Sequence, residues 1–411
     1  MKNAKTLIPI NELHQTATQT YLNQEFFDWN KLNRIPYFKK IQNERKWKVM
    51  TDEFIEKIRP IHKKWSKNLE ELSKDSGGHQ VKQELRVFLE KIDVSQILFD
   101  QPFLSFFVEK GYLDVAEQFI LGAQKAEPTL ENHELFQALR NVWIMNSLQL
   151  YWHRPLALTP SVYSYSLLYP YTDNYLDNQE VSPLDKIQFN HKLEQALAGE
   201  QQLSDSSAEK RIYELIEQIE IQYNRLKFPQ VYKSLEFIHD AQVKSLQQGH
   251  LDVLTNEKLL NLSFYKGGTS VLADGFLIKP DLRIEQMQFS YHYGAFLQLL
   301  DDLQDIEEDQ QTNHQTLYST EKFTYDVDIK IERLIAYIYA VNEIHPYDTA
   351  VQKTMKEVIR TCTLMMVMEA VGSNPEIVSP SFYSKLESYS KVRLSFFSEY
   401  KKSINAYFNG I

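Results

Sequence analysis

The chain has a single cysteine, Cys362, among 411 residues. No disulfide can form within it, and a reducing, cytoplasmic setting is expected. Glycine (12) and proline (14) are scarce, together near half of their usual share of about 12%. Folds rich in β-turns or glycine loops rarely manage with so few turn formers. The opening MKNAKTLIPINELHQ has no apolar run of signal-peptide length. The longest stretch free of charge, 155–172, is interrupted by Pro155, Pro160 and Pro170, which disfavours a membrane span. Positive charge is also short: 45 Lys and Arg stand against 55 Asp and Glu, a net charge of −10. Bulk nucleic-acid binding, which needs a basic surface to neutralise phosphates, is therefore not expected.

What is present is a large apolar share, 43% of residues, spaced by threes and fours along most of the chain, the period of an amphipathic helix. An all-α protein is expected. Helices are predicted near 79–98, 103–126, 131–152, 184–198 and 229–249. Thr159 and Pro160 open another that runs to about residue 178, and the capping pair Ser206 and Glu209 opens one over 206–226. A segment over 254–278 is expected to break at Gly267-Gly268, because each glycine costs about 1 kcal/mol in a helix interior. One long helix is predicted from an N-cap at Asp281 to Asp309, with further helices near 326–344, 347–372 and 380–408. No repeat or Gly/Ser linker appears. The simplest organisation is an N-terminal helical extension over 1–130 packed on a main helical domain over 131–411.

Charge is uneven. Lys31 to Lys67 carry 12 Lys and Arg against 4 Asp and Glu. Trp47, Met50, Phe54, Ile58, Ile61, Trp65, Leu69 and Leu72 form one apolar stripe through that region, with Pro60 inside it. Most such stripes pack inward and leave a solvated basic face; contact with a membrane surface is the alternative. Asp301 to Asp309, by contrast, holds six acids in nine residues. On a helix Asp301, Asp302 and Asp305 share one face with Gln298, while Phe296, Leu299, Leu300 and Leu303 mark the same helix as buried. Grouped buried carboxylates need compensating cations, and Mg²⁺, which takes a few carboxylates plus water and phosphate oxygens, suits them. Glu307, Glu308 and Asp309 read as a solvated helix end. Upstream, Asp173 and Asp177 lie four apart beside Asn174 at the end of an aromatic, uncharged helix. Between the two acidic segments, Lys266 precedes Gly267, Gly268 and Thr269, where freed backbone N–H groups next to a cation would suit an oxyanion.

Taken together these segments resemble class I isoprenoid synthases. Gln298-x-x-Asp301-Asp302-x-x-Asp305 is similar to the second aspartate-rich motif of polyprenyl diphosphate synthases. Asp173-Asn174-x-x-Asp177 is similar to a first motif with one acid replaced by Asn. The Lys-Gly-Gly-Thr-Ser-Val-Leu-Ala-Asp-Gly run at 266–275, with 297–305, is most like bacterial large-terpene synthases of the tetraprenyl-β-curcumene synthase type; the likeness covers roughly 130–400. The resemblance implies a bundle of antiparallel helices around a central cavity, with extra N-terminal helices. It also implies that a polyprenyl diphosphate is ionised between Asp173/Asp177 and Asp301/Asp302/Asp305 by three Mg²⁺, with Lys266, Gln298, Thr269 and Asn174 on the diphosphate. Tyr169 and Tyr291 are the rings expected in the cavity wall, and the product would be a linear or cyclic terpene plus diphosphate. Arg154 and Arg393 read as surface or ion-paired arginines before diphosphate ligands. The family's chain-elongating members follow the first motif with an arginine pair; here no arginine follows until Arg211, which favours a single-diphosphate reaction. The alternatives are a prenyltransferase joining two substrates and a non-catalytic prenyl-diphosphate-binding homologue. A homodimer and peripheral membrane contact are both compatible with this reading.

Overall fold

The structure is a computed structural model that describes residues 7–65, 77–128, 130–178, 180–200, 204, 206–249, 252–321, 324–344 and 349–409. It is all-α: 17 helices make up 79% of it, with no strand among the described residues. Two compact units divide the chain. The first comprises Met1–Phe26, Gln118–Glu321 and Glu332–Met355, and the second Phe27–Glu117, Lys322–Ile331 and Lys356–Ile411.

The first unit is organised by helix α11 (Asn256–Ile278), whose residues from Gly267 to Leu277 are buried apart from Ser270. A helix apolar on nearly all sides belongs in the middle of a bundle. Around it pack α1 (Ile10–Leu22), α6 (Asn132–Tyr151), α7 (Pro160–Asp177), α10 (Pro229–Ser245) and α12 (Ile284–Gln304). The aromatic core there includes Tyr21, Phe264 and Tyr337, with ring centroids 5.4–5.6 Å apart. Helices α8 (Pro183–Ala198) and α9 (Ser207–Gln222) complete the central run of this unit. The predicted caps hold: Thr159 Oγ1 accepts from Val162 N at 3.3 Å, and Ser206 Oγ accepts from Glu209 N at 3.1 Å.

Several predicted boundaries move. The expected break at Gly267-Gly268 does not occur, and α11 is continuous. Tertiary packing overrides the propensity cost. A Cβ on Gly267 would lie 2.2 Å from Gly294 O, and one on Gly294 would lie 1.9 Å from Gly267 O. The glycines thus let two helix backbones touch, and no backbone N–H is freed for an oxyanion. The helix predicted from Asp281 starts at Ile284, where Gln286 Oε1 accepts from the backbone N–H of Arg283 at 3.1 Å. It also pauses at Asp305 before α13 (Ile306–Thr312). The single helix expected over 103–126 is two, α4 (Phe103–Lys110) and α5 (Tyr112–Ala126), because Gly111 turns left-handed at φ 96°.

The second unit contains α2 (Tyr37–Trp65) and α3 (Gly77–Ser95), which stack Phe54 on Phe88 with centroids 4.7 Å apart. Trp47 meets the Tyr400 ring at 5.4 Å, so the apolar stripe of α2 is turned inward. Leu69 and Leu72 of that stripe, and the side chain of Trp65, lie outside the described residues. Lys40, buried, donates to Ser390 O at 2.8 Å and to Glu387 O. Glu44, also buried, binds Arg393 at 2.8 Å.

Candidate active site

Asp173 sits one turn from the end of α7, and Lys266 two to three turns into α11. Their side chains meet, with Nζ 3.0 Å from Oδ1, and both are largely sheltered from solvent. Gln242 of α10 also donates to Asp173 Oδ1 at 3.3 Å. Asn174 turns to α6, where its amide pairs with that of Gln137 at 3.2 Å. The backbone of Asp177 closes α7, but its side chain lies outside the described residues.

The α12 acids divide by environment. Asp302 is 5% exposed; it accepts from Ser263 Oγ at 2.7 Å and from Gln298 Nε2 at 2.9 Å. Burial lifts its pKa to about 6 against the pull of those two donors. Asp301 faces solvent with 46% of its side chain exposed and has Arg140 of α6 at 3.7 Å. The protein around it still raises its pKa, opposed by Arg140 and Lys266 and reinforced by Asp173. That coupling shows that the α7 and α12 acids share one electrostatic neighbourhood. Asp305 is exposed at the junction of α12 and α13. Asp309, one turn further on, has its pKa pushed up to about 8, first by burial, then by Asp302, with Asp305 and Asp301 adding to it.

Two members of this group carry no motif signal. Arg140 belongs to α6, far from either acidic run, and only the register of α6 brings it to Asp301. His314 follows Asn313, which is left-handed at φ 56°. Burial lowers its pKa, with Lys266 acting in the same direction and Asp173 against it, so the imidazole is neutral at pH 7. Asp309 had a signal in the i, i+4, i+8 spacing of Asp301, Asp305 and Asp309, masked by its exposed neighbours Glu307 and Glu308.

Two other predicted residues point elsewhere. Thr269 is fully buried, and its hydroxyl donates back to Tyr265 O at 2.6 Å within its own helix. Tyr291 is fully buried too; its OH meets His14 Nδ1 at 2.9 Å, and its ring fills the space beside Gly268. Tyr169, in contrast, is at the site: burial raises its phenol pKa, and the charges of Asp173, Lys266 and Asp301 all act on it. Arg154 is exposed, and Arg393 is held by Glu44 and Glu399 in the second unit.

Inward from Asp173 and Lys266, Tyr169 and Tyr165 follow at helical intervals on α7, and Ser270 and Asp274 on α11. Asp274 is fully buried; Asn141 Nδ2 lies 3.5 Å from its Oδ1, and its Oδ2 has no hydrogen-bond partner among the described residues. Desolvation holds this carboxyl well above the usual range, with Asn141 opposing it. Beside Tyr165 and Tyr169 is a cavity of about 20 Å³ reaching Leu193, Leu235 and Gln242. Its size is that of one water, so anything larger entering there has to displace the side chains around it.

Asp173 thus pairs with Lys266 and Asp301 with Arg140, while Asp302, Asp305 and Asp309 add further negative charge beside Asp301; three of these carboxyls, on Asp301, Asp302 and Asp309, have raised pKa values. This all-oxygen, anion-heavy donor set suits a hard divalent cation. Among the described residues no three His, Cys, Asp or Glu side chains converge tightly enough to hold an ion by themselves. The donors fit Mg²⁺ only in the manner that ion favours, with ligand phosphate oxygens and water completing the shell. Compared with protein-family models, curated proteins and solved structures, the chain matches none.

Proposed function

We propose that the chain is a Mg²⁺-dependent enzyme that ionises a polyprenyl diphosphate to a linear or cyclic terpene and diphosphate. One observation carries this reading: Lys266 of α11 pairs with Asp173 of α7 at 3.0 Å, and the next residue, Gly267, lies against Gly294 and Gln298 of α12, one turn before the α12 acids. An excess of carboxylates with two cations among them is what a metal–diphosphate complex needs, because it brings both positive ions and anionic oxygens.

Asp173, Asp301, Asp305 and Asp309 are the residues that would hold the ions, with Asp302 fixed behind them by Ser263 and Gln298. Bound Mg²⁺ supplies positive charge to the departing diphosphate. In the reaction the allylic C–O bond breaks and its electron pair leaves with the diphosphate. Lys266 and Arg140 meet that growing negative charge, the kind of preorganised electrostatic stabilisation that dominates such steps. Tyr169 presents a ring within the same neighbourhood, where a cation–π contact contributes about 0.5–2 kcal/mol to holding a carbocation. A proton lost from that cation closes the sequence as a new C=C bond, with the diphosphate as acceptor.

The test is incubation of the full chain with geranyl through heptaprenyl diphosphates and Mg²⁺, with products identified by mass spectrometry. Pyrophosphate release that is abolished by EDTA, and lowered at least about 100-fold by Asp301→Asn at unchanged helicity, supports the reading. Full activity in that variant or in EDTA defeats it. Products longer than the supplied substrate would assign the site to condensation instead.

A further inference from the structure

The first three turns of α2 present an outward face that is wholly cationic and carries bare apolar side chains. Of the charged residues from Tyr37 to Val49, Lys40 and Glu44 are buried, Lys40 on main-chain oxygens and Glu44 on Arg393. Those left exposed are Lys39, Arg45, Lys46 and Lys48, all positive. Within the same face, Phe38 is 73% and Val49 57% exposed, with Tyr37 at 62% on its flank. Phe38, Arg45 and Val49 recur at i, i+7 and i+11, so they form one line along the helix. Lys31 and Arg34, also exposed, extend the positive charge before the helix begins. Further along, acids enter the outward positions, with Asp52, Glu53 and Glu56 beside Lys57 and Arg59, so the wholly cationic stretch is confined to the helix start.

Burying the one acid of this segment while exposing its bases leaves a local positive field on a chain whose net charge is −10. Large exposed aromatics among lysines and arginines suit the boundary of an anionic bilayer, where rings enter the headgroup layer and long basic side chains reach lipid phosphates. None of the helices is long and apolar enough to cross a membrane, among the described residues, so any such contact is peripheral. We propose that the face formed by Tyr37, Phe38, Lys39, Arg45, Lys46 and Val49 docks the protein on an anionic lipid surface. The rest of the chain, net negative, is repelled by that surface, which orients the molecule with α2 towards the lipid. This inference does not depend on the catalytic reading.

The experiment is co-sedimentation of the full chain with vesicles of phosphatidylcholine alone or with about one-third phosphatidylserine, at low and high salt. Binding to the anionic vesicles only, weakening as salt screens the charge, is expected. Each exposed cation near an anionic surface changes partitioning about fivefold, so the triple variant Lys39→Gln/Arg45→Gln/Lys46→Gln should lower it about 100-fold. Phe38→Ser should lower it several-fold without altering helicity, and the control Lys186→Gln, on α8, should not change it. Equal binding to neutral vesicles, no binding to either, or undiminished binding of the triple variant overturns the proposal. A monomer–dimer shift in these variants without lipid would assign the face to a second copy of the chain, and also overturns it.

Discussion

Lys266 reaches from α11 to Asp173 on α7 with its ammonium 3.0 Å from one carboxylate oxygen. The two residues are 93 positions apart in sequence, and the pair is mostly screened from water, so each charge depends on the other. A double-mutant cycle of Lys266→Ala and Asp173→Ala should return a coupling of about 1–2 kcal/mol in denaturant unfolding. Lys266→Ala alone should destabilise more than the double variant does, since it leaves Asp173 sheltered without its cation. Additive single effects would show that the pair is too well hydrated to matter.

Asp302 makes stability depend on pH. Its pKa is near 3.8 when unfolded and about 6 when folded, so the folded state holds its proton more tightly. The stability from this group is fully present below about pH 4 and is lost as pH rises towards 6. The loss is on the order of 3 kcal/mol at most. Guanidinium unfolding at pH 4.5 and 7 should show this slope, and Asp302→Asn should flatten it, being the more stable protein of the two at pH 7 if its hydrogen bonds to Ser263 and Gln298 survive.

Asp309 extends the acidic face, and its folded pKa of about 8 makes metal binding compete with protons. Uptake of Mg²⁺ with inorganic diphosphate at pH 7 should release protons, visible by calorimetry as a heat that varies with the ionisation enthalpy of the buffer. Asp309→Asn should reduce that release and weaken Mg²⁺-dependent turnover by about 10-fold or more. A buffer-independent heat would leave Asp309 outside the ligand set.

Gly267→Ala and Gly294→Ala each put a Cβ about 2 Å from a carbonyl oxygen of the facing helix. Backbone cannot swing aside as a side-chain tip can, so a loss of about 2–4 kcal/mol is expected, at the upper range of overpacking. Gly249, with nothing within 4 Å of its Cβ position, is the control, and Gly249→Ala should be close to neutral.

Periodicity made the helical architecture legible, and capping chemistry placed the starts of α7 and α9 within a residue. The glycines of α11 were misread because propensity is a local quantity, whereas the contact with Gly294 is a tertiary one. Within the site, i, i+4 spacing revealed Asp173 and the α12 acids, since a face is written in sequence. It could not reveal Arg140 or His314, whose places depend on how α6 and the turn at Asn313 meet the other helices. Tyr291 illustrates the reverse limit. Ten residues before Asp301 on the same helix, it faces His14 on α1, because a place along a helix does not say which neighbour that side chain meets.

The Gly267–Gly294 crossing has a consequence for any chemistry between α7 and α12. Because main chain rests on main chain there, the interval between Lys266 and the α12 carboxylates is gauged by hard-sphere contact rather than by adjustable side chains. Slippage of one helix along the other would drive carbonyl into Cα, so these charges are held in register before any ligand arrives, and a ligand binding among them need not bear the work of drawing the two helices together.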